Sequence, residues 1–313
     1  MTILRFLSVC LLLICLPWAG LQAAPGKKQT LATADQPRAE GIELGSVSAV
    51  VYDSAAGITL YSKNEHFQVP IASITKLMTA MVVLDAQLPM NEWLMVTRED
   101  QDLLRNTFSR VRFGSTLKRK DLLLIALMSS ENRAASALGR NYPGGRKAFV
   151  QAMNDKAAVL GMKDTRFVDS TGLSEENVST AEDLVKMVGA ALQYDEIREF
   201  TTTPNYLAKF RKPRYNLGYV NTNLLVRRGE WEIGLSKTGF INEAGHCLVM
   251  QADIAGKPVV MVLLDSFGKR TSVGDAGRVK KWLNTGNSGK LARAARDYAR
   301  TKAAEVAESG SEG

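Results

Sequence analysis

Strand-like and helical patterns are distributed unevenly along this chain, and that distribution limits the folds open to it. Segments rich in β-branched residues and bounded by turn residues predict strands at 46–52, 58–61, 231–238, 247–254 and 259–264. Apolar periodicity predicts helices at 73–86, 121–128, 132–140, 145–160, 180–193 and 273–283. Strands from both ends of the chain must then share one sheet. We therefore predict an α+β fold, with an antiparallel sheet flanked by helices, an inserted all-helical lobe and a cleft between them.

The two ends of the chain are predicted to lie outside the folded domain. Residues 1–24 combine Arg5, an apolar run broken at Pro17 and a small-residue end, which is typical of a signal peptide cleaved near residue 23 or 24. The alternative is a membrane anchor, but the run is shorter than the roughly 20 residues that a span requires. Residues 25–43 predict a flexible linker, 44–286 the folded domain, and 287–313 a polar, solvated tail with at most peripheral membrane association.

Charge and composition restrict the partners of the chain. The net charge of +8 could attract nucleic acid, anionic lipid or an acidic polymer. The sequence has no zinc-finger spacing or RNA-binding motif and predicts export, so we expect no nucleic-acid partner. A wall polymer that carries carboxylates fits the same charge. The sequence also contains a basic cluster, made of Arg110, Arg112, Lys118, Arg119 and Lys120. The first interpretation of this cluster is a solvated face, and the alternative is a surface that contacts the cell wall.

Ser73-Ile74-Thr75-Lys76 opens the helix predicted at 73–86. Ser73 and Lys76 share a helix face because they are three residues apart. The other positions are apolar almost all round, which predicts a buried helix and a poorly hydrated lysine. Burial lowers the pKa of a lysine, and a neutral amine can accept a serine proton. We predict that Ser73 is a nucleophile and Lys76 its base; the structural alternative is a helix-start serine with a lysine that reaches solvent.

Ser130-Glu131-Asn132 lies between two predicted helices. One interpretation is a Ser/Asn turn that caps the second helix. The functional interpretation assigns Ser130 to relay a proton to a leaving amine and Asn132 to hold an amide of the substrate on the acyl side.

Lys237-Thr238-Gly239 ends a predicted strand. Lys237 and Thr238 together can hold a carboxylate, and Gly239 would let a substrate backbone approach the strand closely. The N–H of Phe240, together with that of Ser73, would form an oxyanion hole. The structural alternative is that Lys237-Thr238-Gly239 simply ends the strand and begins a turn, with no role in binding. Each motif is weak alone, since 115–118 and 266–269 also fit S-x-x-K, so the prediction depends on the ordered combination.

This ordered set is typical of serine β-lactamases and penicillin-binding proteins. The chain resembles the low-molecular-mass penicillin-binding proteins, the D-alanyl-D-alanine peptidases, in segment 70–79 and in the loop 161–173, where Asp169-Ser170 replaces the more usual Asn-Pro. Segments 81–86, 127–135, 237–240 and 244–249 resemble the endopeptidase members more narrowly. The resemblance implies a β-lactamase/transpeptidase-like fold and a serine DD-peptidase domain at 44–286. It also implies a periplasmic enzyme that hydrolyses D-Ala–diaminopimelate cross-links of peptidoglycan, with β-lactam antibiotics as covalent inhibitors.

Four other functions are weighed against this one. D-alanyl-D-alanine carboxypeptidase activity is the main alternative. A β-lactamase of the best-known class would need an E-x-x-L-N loop, which the sequence does not contain, and a non-catalytic wall-binding protein would not need the intact motifs. Serine hydrolysis with histidine would have to use His66 or His246, and there is no G-x-S-x-G turn. Cys247, on a strand, is predicted to be a buried structural thiol, and no metal or other cofactor is expected.

Overall fold

The computed structural model describes residues 40–310, and these contain eleven strands and nine helices. The strands are β1 (Ser46–Asp53), β2 (Ile58–Lys63), β3 (Val69–Pro70), β4 (Trp93–Met95), β5 (Thr116–Lys118), β6 (Val178–Ser179), β7 (Asn205–Phe210), β8 (Tyr215–Val220), β9 (Ile233–Ile241), β10 (Gly245–Ile254) and β11 (Lys257–Ser266). The helices are α1 (Thr75–Asp85), α2 (Arg119–Met128), α3 (Asn132–Arg140), α4 (Gly145–Val159), α5 (Ala181–Ala191), α6 (Asp195–Thr202), α7 (Leu224–Arg228), α8 (Thr271–Thr285) and α9 (Arg293–Gly310). The predicted signal peptide, 1–24, and most of the predicted linker, 25–43, lie outside the described residues.

The central sheet joins strands from both ends of the chain, as the sequence predicts. Its order within the described residues is β2-β1-β11-β10-β9, and each neighbouring pair is antiparallel. Alternate residues of a strand face opposite sides of a sheet. Val51, Met250 and Met261 therefore belong to the core beneath α8, whereas Val50 and Val249 belong to the core shared with the helical lobe. The α+β fold class is confirmed.

The lobe between β2 and β9 is mainly helical. Its α3 has the bounds predicted from the sequence, and Thr180 caps α5 by accepting a hydrogen bond from the N–H of Asp183, as its spacing predicts. The prediction of an all-helical lobe is wrong in detail, because three two-stranded sheets, β3-β6, β4-β5 and β7-β8, also lie there. Two of them have strands of two or three residues, too short for periodicity to reveal.

The C-terminal segment differs from the solvated tail predicted at 287–313. It contains α9, whose Ala295 and Ala299 are each 4% exposed, and the preceding Leu291 is 5% exposed. The Tyr298 hydroxyl donates to Asp265 Oδ1 at 2.6 Å, which joins α9 to the end of β11. This segment has few large apolar residues, but its alanines spaced i, i+4 give the helix a flat face for close packing, which the prediction did not include.

The linker predicted to extend to residue 43 also differs from the structure over its last residues. The N–H of Ser288 donates to the carbonyl of Gly41 at 2.7 Å, and the N–H of Glu43 donates to Ser288 Oγ at 2.9 Å. The Arg296 guanidinium contacts both oxygens of the Glu43 carboxylate. The folded unit therefore extends beyond the predicted 44–286 at both of its ends. Across the described residues, none of the helices has the length and apolar character needed to span a membrane.

The docking of α9 predicts a measurable stability difference between two faces of the helix. Ala299→Asp places a charge at a buried position, so we expect the free energy of unfolding to fall by about 2–3 kcal/mol, whereas Ala304→Asp, at an exposed position of the same helix, should cost about 0.5 kcal/mol or less. Urea unfolding monitored by circular dichroism measures both changes. Equal unfolding midpoints for the two variants would mean that α9 does not pack on the sheet.

Candidate active site

Ser73 lies in a short 3-10 turn, Ala72–Ile74, that leads directly into α1. The preceding residue, Ala72, has φ +47°, in the left-handed region that residues other than glycine rarely occupy. Gly172 permits this geometry, because a Cβ there would lie 1.9 Å from the Ala72 carbonyl oxygen. Backbone strain of this kind persists where the surroundings enforce it and is concentrated at functional sites. The turn holds Ser73 in a fixed position beside α1.

Lys76 is completely buried, and its Nζ has three oxygen neighbours. The distances are 2.8 Å to Ser73 Oγ, 2.8 Å to Asn132 Oδ1 and 2.6 Å to the Thr171 carbonyl oxygen. The amide and carbonyl oxygens can only accept hydrogen bonds. A neutral amine would donate one hydrogen to each of them and keep its lone pair for the Ser73 hydroxyl. The geometry therefore suits a base for Ser73, in the relation that the sequence predicts.

Burial lowers the pKa of Lys76 to about 7, because desolvation penalises the ammonium form. The negative charges of Asp169 and Glu131 oppose this shift and raise the pKa again in part. The result is a lysine that exchanges its proton close to neutral pH. Lysines matched in this way to the ambient pH are suited to general-base chemistry.

Asp169 organises the loop that supplies the Thr171 carbonyl. Its carboxylate accepts hydrogen bonds from the N–H groups of Thr171, Gly172 and Ser174, from the Thr171 hydroxyl and from Asn177 Nδ2. Burial by itself raises the pKa of Asp169, but the hydrogen bonds outweigh burial and hold the pKa below its usual value. The Asp-Ser pair in place of Asn-Pro therefore builds its own hydrogen-bonded loop, and the charge of Asp169 acts on Lys76. The sequence drew attention to this position but did not predict that role.

Ser130 and Lys237 form the second contact of the site. Ser130 has φ +61°, again left-handed, in the turn between α2 and α3. Lys237, on β9, is 1% exposed, and its Nζ lies 2.8 Å from Ser130 Oγ and 2.8 Å from the Thr238 carbonyl oxygen. Desolvation, and then the positive charge of Lys76, lower the pKa of Lys237 well below its usual value. The two lysines therefore bring low-pKa amines to two neighbouring hydroxyls.

Asn132 links the site to the loop that precedes β5. Its Oδ1 accepts from Lys76, and its Nδ2 donates to Thr107 Oγ1 at 3.1 Å. The backbone N–H of Thr107 in turn donates to Asp102 Oδ2 at 2.9 Å, which holds Thr107 in place. This chain fixes which way the Asn132 amide points and leaves its second N–H hydrogen for another acceptor. Thr107 and Asp102 were not predicted, since no motif in the sequence marks them.

The remaining predicted residues lie along β9, at the edge of the sheet. Gly239 lets β9 approach the nucleophile turn, because a Cβ there would lie 3.1 Å from Ser73 N. The Thr238 hydroxyl is half-buried and donates to Thr222 Oγ1 at 2.6 Å, a partner that the sequence did not reveal. Phe240 is 53% exposed and stacks on His246, with ring centroids 4.3 Å apart. The structure therefore brings all three motifs to one place.

Neither histidine takes the role that a histidine-based hydrolase would require. His66 is exposed and pairs with Glu182 at the surface, and His246 stacks on Phe240. Burial raises the pKa of the Cys247 thiol to about 12, so this buried cysteine is held as a neutral thiol. The hydrogen-bond partner of Ser73 Oγ is the Lys76 amine.

Comparison with known proteins supports the resemblance seen in the motifs. A family model, Peptidase S11, described as D-alanyl-D-alanine carboxypeptidase, matches residues 31–268. A D-alanyl-D-alanine endopeptidase of Pseudomonas aeruginosa is 52% identical over 273 residues, 86% of this chain and 88% of the relative. A D-alanyl-D-alanine endopeptidase of Escherichia coli is 48% identical over 299 residues, 96% of this chain and 94% of the relative.

Solved structures give the same result for the fold. The Streptomyces K15 DD-transpeptidase matches with a TM-score of 0.71 and 28% identity, over 77% of this chain and 96% of the other. Penicillin-binding protein D2 of Listeria monocytogenes, in its ampicillin-bound form, matches with a TM-score of 0.66 and 31% identity, over 77% of this chain and 97% of the other. These matches confirm the transpeptidase-like fold.

The environment of Lys76 predicts a titration near neutral pH. With ¹³C-labelled lysine, the ε-carbon resonance of Lys76 should shift with a midpoint near pH 7 rather than the ordinary 10.5, so the amine is neutral above the midpoint and an ammonium below it. Nuclear magnetic resonance measures the shift, and Lys76→Met assigns the signal. Asp169→Asn removes a charge that raises this pKa and should move the midpoint lower still. A midpoint close to 10 would show that Lys76 is hydrated and cannot act as the base.

Proposed function

This chain belongs to the D-alanyl-D-alanine carboxypeptidase family of serine peptidases. Within that family, we propose that it is a D-alanyl-D-alanine endopeptidase. It hydrolyses the D-Ala–diaminopimelate cross-links of peptidoglycan through an acyl-enzyme. The two relatives named as endopeptidases, each aligned over more than 85% of this chain, favour cleavage of cross-links over removal of a terminal D-Ala. The predicted signal peptide favours the periplasm as the compartment.

The observation that carries the proposal is the contact between Lys76 Nζ and Ser73 Oγ at 2.8 Å inside a dehydrated pocket. Ser73 Oγ forms a bond to the D-alanyl carbonyl carbon while its proton passes to Lys76. The C–N bond of the cross-link then breaks, and the leaving amine takes a proton from Ser130, which the proton held by Lys76 replaces. Water cleaves the resulting ester and regenerates Ser73. The Ser73 and Phe240 N–H groups stabilise the oxyanion, and the loss of one such donor typically costs about 3 kcal/mol.

Recognition of the substrate falls to Asn132, Lys237 and Thr238. The free N–H of the Asn132 amide binds the carbonyl of the acyl-side peptide. The carboxylate beside the diaminopimelate amine binds Lys237 and the Thr238 hydroxyl. Because an adjacent anion favours the ammonium form, substrate binding should raise the pKa of Lys237 from its depressed value. Lys237 therefore becomes an ammonium when the carboxylate of the substrate binds beside it.

Digestion of cross-linked sacculi tests the proposed function directly. The purified protein should convert dimeric muropeptides to monomers, whereas Ser73→Ala, which lacks the nucleophile, should leave the dimers intact. Liquid chromatography of the released muropeptides measures the conversion. Release of free D-Ala from pentapeptides without loss of dimers would assign carboxypeptidase activity instead. Failure of both reactions would leave a wall-binding protein.

β-lactam binding follows from the same acyl-enzyme chemistry. We propose that penicillin acylates Ser73, because the nucleophile attacks the lactam carbonyl as it attacks a peptide. The penicilloyl ester then persists, because the sequence does not contain the E-x-x-L-N loop with which the best-known β-lactamases activate water. The ampicillin-bound relative supports this. Fluorescent penicillin provides a simple measure of how well the site is assembled.

Thr107 offers a test of how Asn132 is positioned. Thr107→Val keeps the shape of the side chain but removes the oxygen that accepts from Asn132 Nδ2, so the amide loses its fixed orientation. We expect the rate of Ser73 acylation by fluorescent penicillin to fall about tenfold, since a misplaced group slows a reaction that depends on geometry. Thr107→Ser restores the hydroxyl and should recover the rate to within about twofold. If both variants react at the wild-type rate, Thr107 does not position Asn132.

A further inference from the structure

Five arginines of the helical lobe lie over aromatic rings rather than against carboxylates. Four rings are involved: Arg112 lies over Tyr215, Arg110 over Tyr219, Arg98 and Arg133 over Phe113, and Arg211 over Trp93, with guanidinium-to-centroid distances of 4.8, 5.0, 5.6, 4.0 and 3.8 Å respectively. We call this set the stacked-arginine surface. Arg133 is half-buried, and the other four arginines are exposed.

In the part of the chain that the structure describes, the arginines of the stacked-arginine surface are not neutralised by ion pairs, although the charge of Glu131 acts on Tyr219, one of the four rings. Among the described residues, none of its five arginines forms an ion pair with a carboxylate, and their hydrogen bonds to protein go to backbone carbonyls, such as Arg110 to Gly218. Other arginines of the same lobe are neutralised: Arg119 pairs with Glu92, and Arg140 with Asp100. Arg119, part of the basic cluster seen in the sequence, is therefore excluded from the surface. The cationic charge of the five arginines is therefore available to an external partner.

Stacking prepares these arginines for anion binding. A ring contacts one face of the guanidinium plane and restricts its motion, while the N–H edge stays available. A guanidinium edge matches a carboxylate with two parallel hydrogen bonds. Arg110 and Arg133 each give an N–H to a backbone carbonyl, and the edge donors that remain on the five arginines suit a ligand with several carboxylates.

The surface adjoins the groups that bind the scissile peptide. Arg133 directly follows Asn132, and Arg110 lies three residues after Thr107, which contacts Asn132. The tyrosines come from one face of β8, since Tyr215 and Tyr219 are four residues apart on that strand. A polymer held here would thus continue from the acyl side of the bond to be cleaved.

We propose that the stacked-arginine surface binds carboxylates of peptidoglycan stem peptides outside the bond that is cleaved. This inference rests on the proposed function, which places cross-linked peptidoglycan in the adjoining cleft. Stem peptides repeat along the glycan and carry glutamyl and diaminopimelyl carboxylates, so one strand presents several anions to the array. The surface thereby docks the polymer beside the nucleophile.

Pelleting with insoluble sacculi tests the proposal, and all proteins carry Ser73→Ala so that the polymer stays intact. The triple variant R110Q/R112Q/R211Q should bind about tenfold more weakly than its parent. The matched control K147Q/K163Q/K281Q removes the same charge from three exposed lysines elsewhere on the molecule, which form no ion pair within residues 40–310. It should bind within about twofold of the parent. Sacculi whose carboxylates have been amidated should bind the parent as weakly as intact sacculi bind the arginine variant.

Several results would overturn the proposal. Equal losses in the two triple variants would show dependence on net charge alone, and undiminished binding of the arginine variant would remove the surface from wall recognition. Retained binding to amidated sacculi would reject carboxylates as the ligand. Arginine-dependent pelleting with phosphatidylglycerol vesicles, but not with sacculi, would assign the surface to a membrane.

Two further measurements separate this proposal from the proposed function. With Ser73 restored, the arginine variant should react with fluorescent penicillin at a rate within about twofold of wild type, which shows that the fold and the site are intact. Cleavage of cross-links by wild type is measured separately by muropeptide analysis. Absence of cleavage rejects the endopeptidase, whereas absence of arginine-dependent pelleting rejects the docking surface.

Discussion

The exclusion of water from Lys76 is the constraint on which the rest of the site depends. An ammonium with no exposed surface is costly, and here its pKa falls to about 7 instead of the group being neutralised by a direct ion pair. Asp169 and Glu131 act on it through charge, without a hydrogen bond to its Nζ. The two carboxylates limit how far burial lowers the pKa of Lys76. A directly paired carboxylate would have held the proton on the lysine and removed the base.

Two strained backbone positions and a polar second layer keep this arrangement rigid. Ala72, directly before Ser73, and Ser130 itself both have left-handed φ values. The Asp169 loop positions the Thr171 carbonyl, and Thr107, held by Asp102, positions the Asn132 amide. Since both oxygens accept from Lys76 Nζ, the loops determine where the lone pair of a neutral amine points. Loop chemistry far from any motif therefore controls the geometry of the motif residues.

The same lobe that supplies Asn132 also carries the stacked-arginine surface, so catalysis and docking share one structural frame. The β7-β8 hairpin contributes tyrosines to the surface, and the segment before β5 contributes Arg110 and Arg112. The segment that contains Thr107 thus joins the site to the surface. Movement of this segment would change the orientation of Asn132 and the spacing of the arginines together.

The sequence by itself determined the sheet, most helices and the motif residues, because strand and helix periodicity and the Ser-Lys spacing are local properties. It could not place Thr107, Thr222 or Asp102, since their roles come from contacts between residues distant along the chain. It missed α9 because the burial of Ala295 and Ala299 depends on the strands β1 and β11, against which the helix packs, rather than on their own hydrophobicity. Only the tertiary structure decided which arginines are paired and which are free. Whether an arginine forms an ion pair depends on which side chains the fold places around it, and the sequence pattern does not specify those neighbours.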